Sequence, residues 1–303
     1  MRERCAKQRG KGFYNTSVLK SRKRRTKAQM DNVLDWTKWV LNDEGEQMTI
    51  SHLFYRLVGH DVIPKNEVEY LRLAHDLAKW RRRGLVAWNA FTDSTRWHIV
   101  DESFDSVRDA LADTVSTYRR NLWRTQPCYL EIWCEKDACA QILAKKARPF
   151  GVPVFIARGF ASLTSLYEAA AVFRRANEHG KRSIIYQFGD HDPSGVMAGK
   201  KIADSLRNDF HVAVEVVRVA VTEQQIKDLN LPTRPTKESS HSKGWEGNSV
   251  ELDSMPIAEI HRIVESCITR HIDQRAWEST KLIEKAERET LETFAETFQK
   301  GAL

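Results

Sequence analysis

Apolar residues first recur at helical spacing over residues 31–41, where Val33, Leu34, Trp36, Val40 and Leu41 predict an amphipathic helix. Gly45 breaks the pattern. Thr49 or Ser51 opens a short helix carrying Leu53, Phe54, Leu57 and Val58, ended near Gly59. Pro64 and Asn66 precede a longer helix, whose inward stripe reads as Val68, Leu71, Ala74, Leu77 and Ala78. Gly84 stops it, and residues 85–91 read as a strand or wing. A further helical stretch covers 102–120, and 121–127 reads as a linker.

Beyond Pro127 the pattern changes. Short apolar runs at 129–134, 154–157 and 183–188 alternate with helical segments, and 212–221 alternates as a fourth strand interrupted by Glu215 and Arg218. Ser162 caps a helix through Leu166, Ala170 and Phe173, and 193–206 forms another. Strands alternating with helices predict an α/β unit with a mostly parallel sheet. Residues 231–248, rich in Pro, Ser, Gly and Lys, read as a loop, followed by a helix at 257–272. Strong helix formers at 278–298 suggest a packing or dimerisation arm. The chain thus divides into a basic arm (1–28), a helical domain (29–125), an α/β domain (126–275) and a carboxyl-terminal helix (276–303).

Composition narrows the class. The 303 residues fit about two domains, and 41% hydrophobic content suffices for real cores. No run approaches the length of a transmembrane helix, and the basic amino terminus lacks an apolar signal segment, so a cytoplasmic, membrane-free protein is expected, nucleoid-associated if bacterial or viral. Five scattered cysteines form no Cys-x-x-Cys pair and argue for reduced thiols. Net charge is +7, yet residues 1–27 alone carry +10, which leaves −3 for the rest. Arg22, Lys23, Arg24 and Arg25 stand in a row, as in a disordered arm for phosphate backbones; a solubilising tail is the alternative.

Three acids follow apolar runs: Glu135 after the first, Asp190 and Asp192 after the third. In open parallel sheets functional groups gather beyond the carboxyl ends of strands, so neighbouring strands would bring the three together. Converging carboxylates need a cation, and hard oxygen donors suit Mg2+, with Mn2+ as a substitute. Such a site points to phosphate chemistry. Alternatively, Asp192 caps the helix begun by Pro193, and Glu135 is a helix-start acid. Lys79, Arg81, Arg82 and Arg83 cluster at a helix end as DNA phosphate contacts, or as cations favoured by the helix dipole.

A Glu at one strand end and Asp-x-Asp at a later one resembles the Toprim domain. The segments EKDA, RGF and GDHDPSG, in this order, resemble the A subunit of topoisomerase VI and its meiotic double-strand-break relatives, and most of all the small standalone proteins called mini-A. The resemblance covers roughly residues 30–275. It implies a winged-helix-like DNA-binding domain before a Toprim-like domain. Glu135, Asp190 and Asp192 would be the metal ligands. Tyr55, second of the pair Phe54-Tyr55, would attack DNA, with His52 and Arg56 beside it. The family has an Arg four residues before the tyrosine, where this chain has Ser51. Lys136 and Arg158 would be phosphate contacts, Lys136 equally a plain exposed lysine. The family's acidic ELDA-like segment matches Glu251 and Asp253, for which a structural role is expected first. In the family the tyrosine of one subunit meets the metal site of another, which implies a homodimer. No phosphate-binding Gly-rich loop is visible, so ATP-driven strand passage would need a separate GHKL-type ATPase subunit. Two other readings stay open: a hydrolytic Toprim nuclease without tyrosine attack, and a non-catalytic DNA-binding protein.

Overall fold

A computed structural model describes residues 25–92, 103–157, 161–236, 245 and 247–301. Its first element, α1 (Lys27–Glu44), is longer than apolar spacing predicts because a capping box extends it. Thr26 accepts from the Gln29 backbone N–H, and Gln29 accepts from that of Thr26. Helix α2 (Ile50–Gly59) starts at the expected cap, Thr49, and buries Leu53, Phe54, Leu57 and Val58 as predicted.

Helix α3 (Glu67–Arg82) starts after Asn66 as expected, but turns a different face inward. Val68 and Leu71 are 41% and 52% exposed, whereas Glu69, Leu73, Asp76, Leu77 and Trp80 are buried. The cause is an ion-pair clamp. Arg25 reaches Glu69 at 2.5 Å and Asp76 at 2.9 Å, and Arg72 also pairs with Glu69. Two acids thereby occupy core-facing positions that a count of apolar residues skips. Arg25 is correspondingly only 9% exposed, so this member of the basic run belongs to the fold and is no free phosphate arm.

Residues 85–91 form no strand. Gly84 turns the chain at φ 71°, and Trp88–Ala90 make one 3-10 turn. A lone bridge ties Met48 to Phe91, too little pairing to sustain a ladder. Helix α4 (Val107–Thr117) follows, and the expected linker after it is pinned down. Leu122 and Trp123 are buried, and the Trp123 indole donates to Phe150 O at 2.7 Å.

The sheet holds β1 (Cys128–Cys134), β2 (Val154–Ile156), β3 (Arg182–Phe188) and β4 (Glu215–Ala220) in the order β2-β1-β3-β4, every pair parallel. Helices α5 (Asp137–Ala147), α6 (Leu163–Glu178) and α7 (Pro193–Asn208) make the crossovers. Side chains alternate between faces. Ile132, Cys134, Ile184, Tyr186 and Phe188 join a core shared with α1–α3, α5 and α9 (Ile257–Thr269). Trp133 and Ile185 face the other way, onto Leu166, Ala170 and Phe173 of α6 and Ile202 and Leu206 of α7. The central strands β1 and β3 are therefore covered on both faces, which is why their sequence runs are mostly apolar. The first core is continuous from Val33 to Trp277, so the helical and α/β halves share one interior. Helix α8 (Glu223–Asp228) leads into the loop before Glu251, and α10 (Gln274–Gly301) returns to α4, where Tyr118 Oη donates to Glu287 at 2.6 Å. Among the described residues no helix is long and apolar enough to cross a membrane.

Candidate active site at the carboxyl ends of the strands

Strands β1 and β3 are hydrogen-bonded neighbours, with Cys134 level with Phe188. Glu135 continues the ladder, its N–H donating to Phe188 O at 3.1 Å. The Glu135 carboxylate and the 189–195 loop therefore lie together. Gly195 permits the closeness: a β-carbon there would stand 2.3 Å from the Asp190 carbonyl oxygen and 3.1 Å from Glu135 Oε2. That Oε2 is buried and accepts no hydrogen bond. Burial first, then the negative charge of Asp192, push the Glu135 carboxyl above its ordinary value, against Lys136 and Arg218.

Asp192 caps α7, its Oδ1 accepting from the Gly195 N–H at 2.7 Å, while Oδ2 lies 3.8 Å from Arg234. The capping alternative thus holds for one oxygen and leaves the other turned toward a cation. Asp190 Oδ1 accepts from the Leu252 N–H at 2.8 Å and stands 3.0 Å from Lys136 Nζ.

Lys136 is the centre of a second cluster. Its ammonium meets Asp190 and Asp253, each at 3.0 Å, and Glu251. Arg234 closes on Glu251 at 2.8 Å, and Ser51 Oγ donates to Asp253 at 2.5 Å. Burial pushes Asp190 up to about 8, opposed by Lys136. Burial would also raise Glu251, but its hydrogen bond with Asp190 and the Lys136 and Arg234 cations hold it down to about 2. Of the two, Asp190 holds its proton the more tightly. Lys136, expected as a phosphate contact or a plain exposed lysine, has its charge engaged internally, with three largely buried carboxylates around it. Glu251 and Asp253, expected to be structural first, stand at the same strand ends as Asp190.

Arg218 on β4, a cation interrupting an apolar strand, is a further residue of this site. Its guanidinium donates to the carbonyls of Gly189 (3.0 Å), Asp190 (2.5 Å) and Gly195 (3.0 Å), stitching the acidic loop to the sheet.

Tyr55 projects from α2 toward this region. Its ring centroid lies 4.9 Å from Lys65 Nζ and 5.9 Å from Lys136 Nζ. Burial, then Glu251, raise the phenol well above its ordinary range, against Lys136 and Arg234. Within one chain, Tyr55 thus lies near enough to Glu251 and Asp253 for their charges to act on its phenol.

His52 and Arg56 do not serve Tyr55 as expected. His52 is fully buried, both ring nitrogens lack hydrogen-bond partners, and Glu44 lies 4.0 Å away. Burial holds its pKa down to about 4, opposed by Asp253. Arg56 turns to the end of α1, pairing with Glu44 at 2.6 Å and Asp43 at 3.5 Å. Sharing a helix face with Tyr55 did not decide these contacts; the nearest charges did.

The basic end of α3 is different. Lys79, Arg82 and Arg83 are exposed, and Arg81 packs on Trp88. Arg22, Arg24 and Arg158 lie outside the described residues.

Among the described residues no group of three or more His, Cys, Asp or Glu side chains is gathered as a cation cage. The chemistry of the donors nevertheless fits a hard divalent cation: Glu135 offers a buried free oxygen, and Asp192 a second oxygen beside the α7 amino end. No family model, no curated protein and no solved structure matches this chain, so its own geometry has to carry any functional conclusion.

Proposed function

We propose that this protein binds DNA and cuts it in a Mg2+-dependent phosphoryl transfer, in the manner of a topoisomerase VI A subunit, with a DNA-binding helical half and a Toprim-like sheet. The observation that carries the proposal is the buried, unpartnered Glu135 oxygen beside the Asp190 and Asp192 loop, with Asp190 paired to the same Lys136 that lies 5.9 Å from the Tyr55 ring centroid. Glu135, Asp190 and Asp192 would hold the ion, which when bound neutralises charge on the phosphate oxygens. Tyr55 Oη forms the bond to phosphorus, its proton leaves to solvent or a carboxylate, and the departing DNA oxygen takes up a proton. The phosphotyrosyl link conserves the bond energy and permits religation. The Lys136 and Arg234 cations favour the phenolate, against burial and Glu251. Lys79, Arg82 and Arg83 supply phosphate contacts, and a homodimer and a separate ATPase subunit belong to the same proposal.

One observation favours a second reading, hydrolysis by water. The Tyr55 phenol is raised by burial and by Glu251, which makes it a poor nucleophile until a cation or phosphate alters that field.

A denaturing-gel assay on supercoiled plasmid and hairpin DNA with Mg2+ or Mn2+ separates the two. We expect protease-sensitive, protein-linked ends from the wild type and none from Tyr55→Phe or Asp190→Ala. Free ends that survive Tyr55→Phe but vanish in Asp190→Ala would assign hydrolysis. Binding without any cut product would remove the catalytic proposal.

A further inference from the structure

Arg81 and Trp88 form an exposed aromatic platform that the cleavage chemistry does not use. The Trp88 indole is 60% exposed, against 45% for Trp39, which packs on Trp36 and His60. An isolated tryptophan at a turn usually tucks its large apolar ring away. Here the ring is held out. The Arg81 guanidinium sits 4.4 Å from the ring centroid and donates to Trp88 O at 3.0 Å. Gln47 Nε2 donates to Asn89 O at 2.7 Å, and the Met48 N–H donates to Ala90 O at 3.2 Å, which fix the turn from the other side.

We propose that the Arg81–Trp88 pair stacks an unpaired nucleobase, so that the preferred DNA carries a single-stranded segment beside a duplex. This rests on the DNA-binding reading above and adds the substrate class. Every base presents a π face, and a preorganised indole backed by guanidinium accepts it at little ordering cost. Exposed Lys79, Arg82 and Arg83 close by in sequence, at the end of α3, suit the phosphates on either side of that base. A buried protein–protein contact around one tryptophan would instead be depleted of exposed lysine. Duplex DNA alone gives the indole nothing to stack on without breaking a pair, which is why the platform points to unpaired bases.

The test measures fluorescence anisotropy of the full chain with labelled blunt duplex, the same duplex bearing an overhang, and single strand, over a salt series. Wild type should prefer the overhang to the blunt duplex. Trp88→Ala should weaken overhang binding by about five- to hundredfold and change blunt-duplex binding by no more than about twofold. Trp88→Phe, which keeps a ring, should retain most of the preference. Circular dichroism on both variants should match wild type, because the side chain is mostly outside the core. Equal wild-type affinity for blunt and overhang DNA, or an overhang preference untouched in Trp88→Ala, would overturn the platform while leaving DNA binding standing. No binding to any of the three would remove the DNA reading and the platform together. Blunt-duplex binding with a Trp88-dependent pull-down of a second protein would assign the indole to a protein partner instead.

Discussion

The strand-end site and the tip beyond α3 use the same two kinds of cation, lysine and arginine, for opposite purposes. At the strand ends, Lys136, Arg218 and Arg234 are drawn into carboxylates and carbonyl oxygens. At the tip, Lys79, Arg82 and Arg83 face solvent, and only Arg81 is committed, to an indole. Burial explains the difference. A cation inside a low-dielectric region must pair, and three acids inside it must find a cation. A surface cation pairs weakly and stays available to a polyanion. A lysine's presence beside a strand end is therefore no evidence of phosphate contact, whereas an exposed basic cluster next to an arginine-backed indole is the better candidate.

The strongest way to break the comparison is Lys136→Met. It leaves Asp190, Glu251 and Asp253 without their shared ammonium, and should cost about 3–5 kcal/mol of stability. Urea unfolding at neutral pH would measure it. A loss below about 1 kcal/mol would mean that the cluster is open to water and that Lys136 resembles the tip cations after all.

Next comes pH. His52 has a folded pKa of about 4 against an ordinary 6.5, so between those values the unfolded chain binds a proton that the folded chain refuses. This contribution to stability is complete above about pH 6.5 and is lost as pH falls toward 4, on the order of 3 kcal/mol in all. His52→Leu leaves no polar group unpaired, since neither ring nitrogen has a partner, and should flatten that part of the pH–stability curve. An unchanged slope in the variant would show that other groups dominate acid sensitivity.

The smallest expected effect on stability sharpens the comparison from the other side. Arg82→Ala with Arg83→Ala should alter stability by less than about 0.5 kcal/mol, because neither side chain is buried. The pair should still weaken binding to every DNA form alike and lower its salt dependence by roughly two phosphate contacts.

How much of this was legible in the chain itself differs between its two halves. In the α/β half, β1, β2 and β3 follow their apolar runs to within a residue, and α6 buries the predicted Leu166, Ala170 and Phe173. Strands covered on both faces leave an unmistakable apolar stretch, and local caps such as Ser162 and Asp192 act within three residues. In the helical half, α3 turns inward a face that apolar spacing does not predict, because Glu69 and Asp76 occupy it, and the wing expected at 85–91 is a turn. Periodicity sees apolar residues only, and a buried acid with a distant arginine looks like surface. The same blindness hid the Lys136 cluster and the work of Arg218.

The sequence by itself determined where strands end, and therefore that Glu135, Asp190 and Asp192 stand at carboxyl edges. It determined as well the capped starts of α2, α3 and α6. Only the tertiary structure decided which charges meet. Arg25 finds Asp76 51 residues away, Lys136 finds Glu251 115 away, and Ser51 finds Asp253 202 away. The reason is range. Hydrogen-bonded turns and side-chain alternation act over a few residues and repeat along the chain, so they leave a pattern. A salt bridge depends on where two distant elements pack, and leaves none.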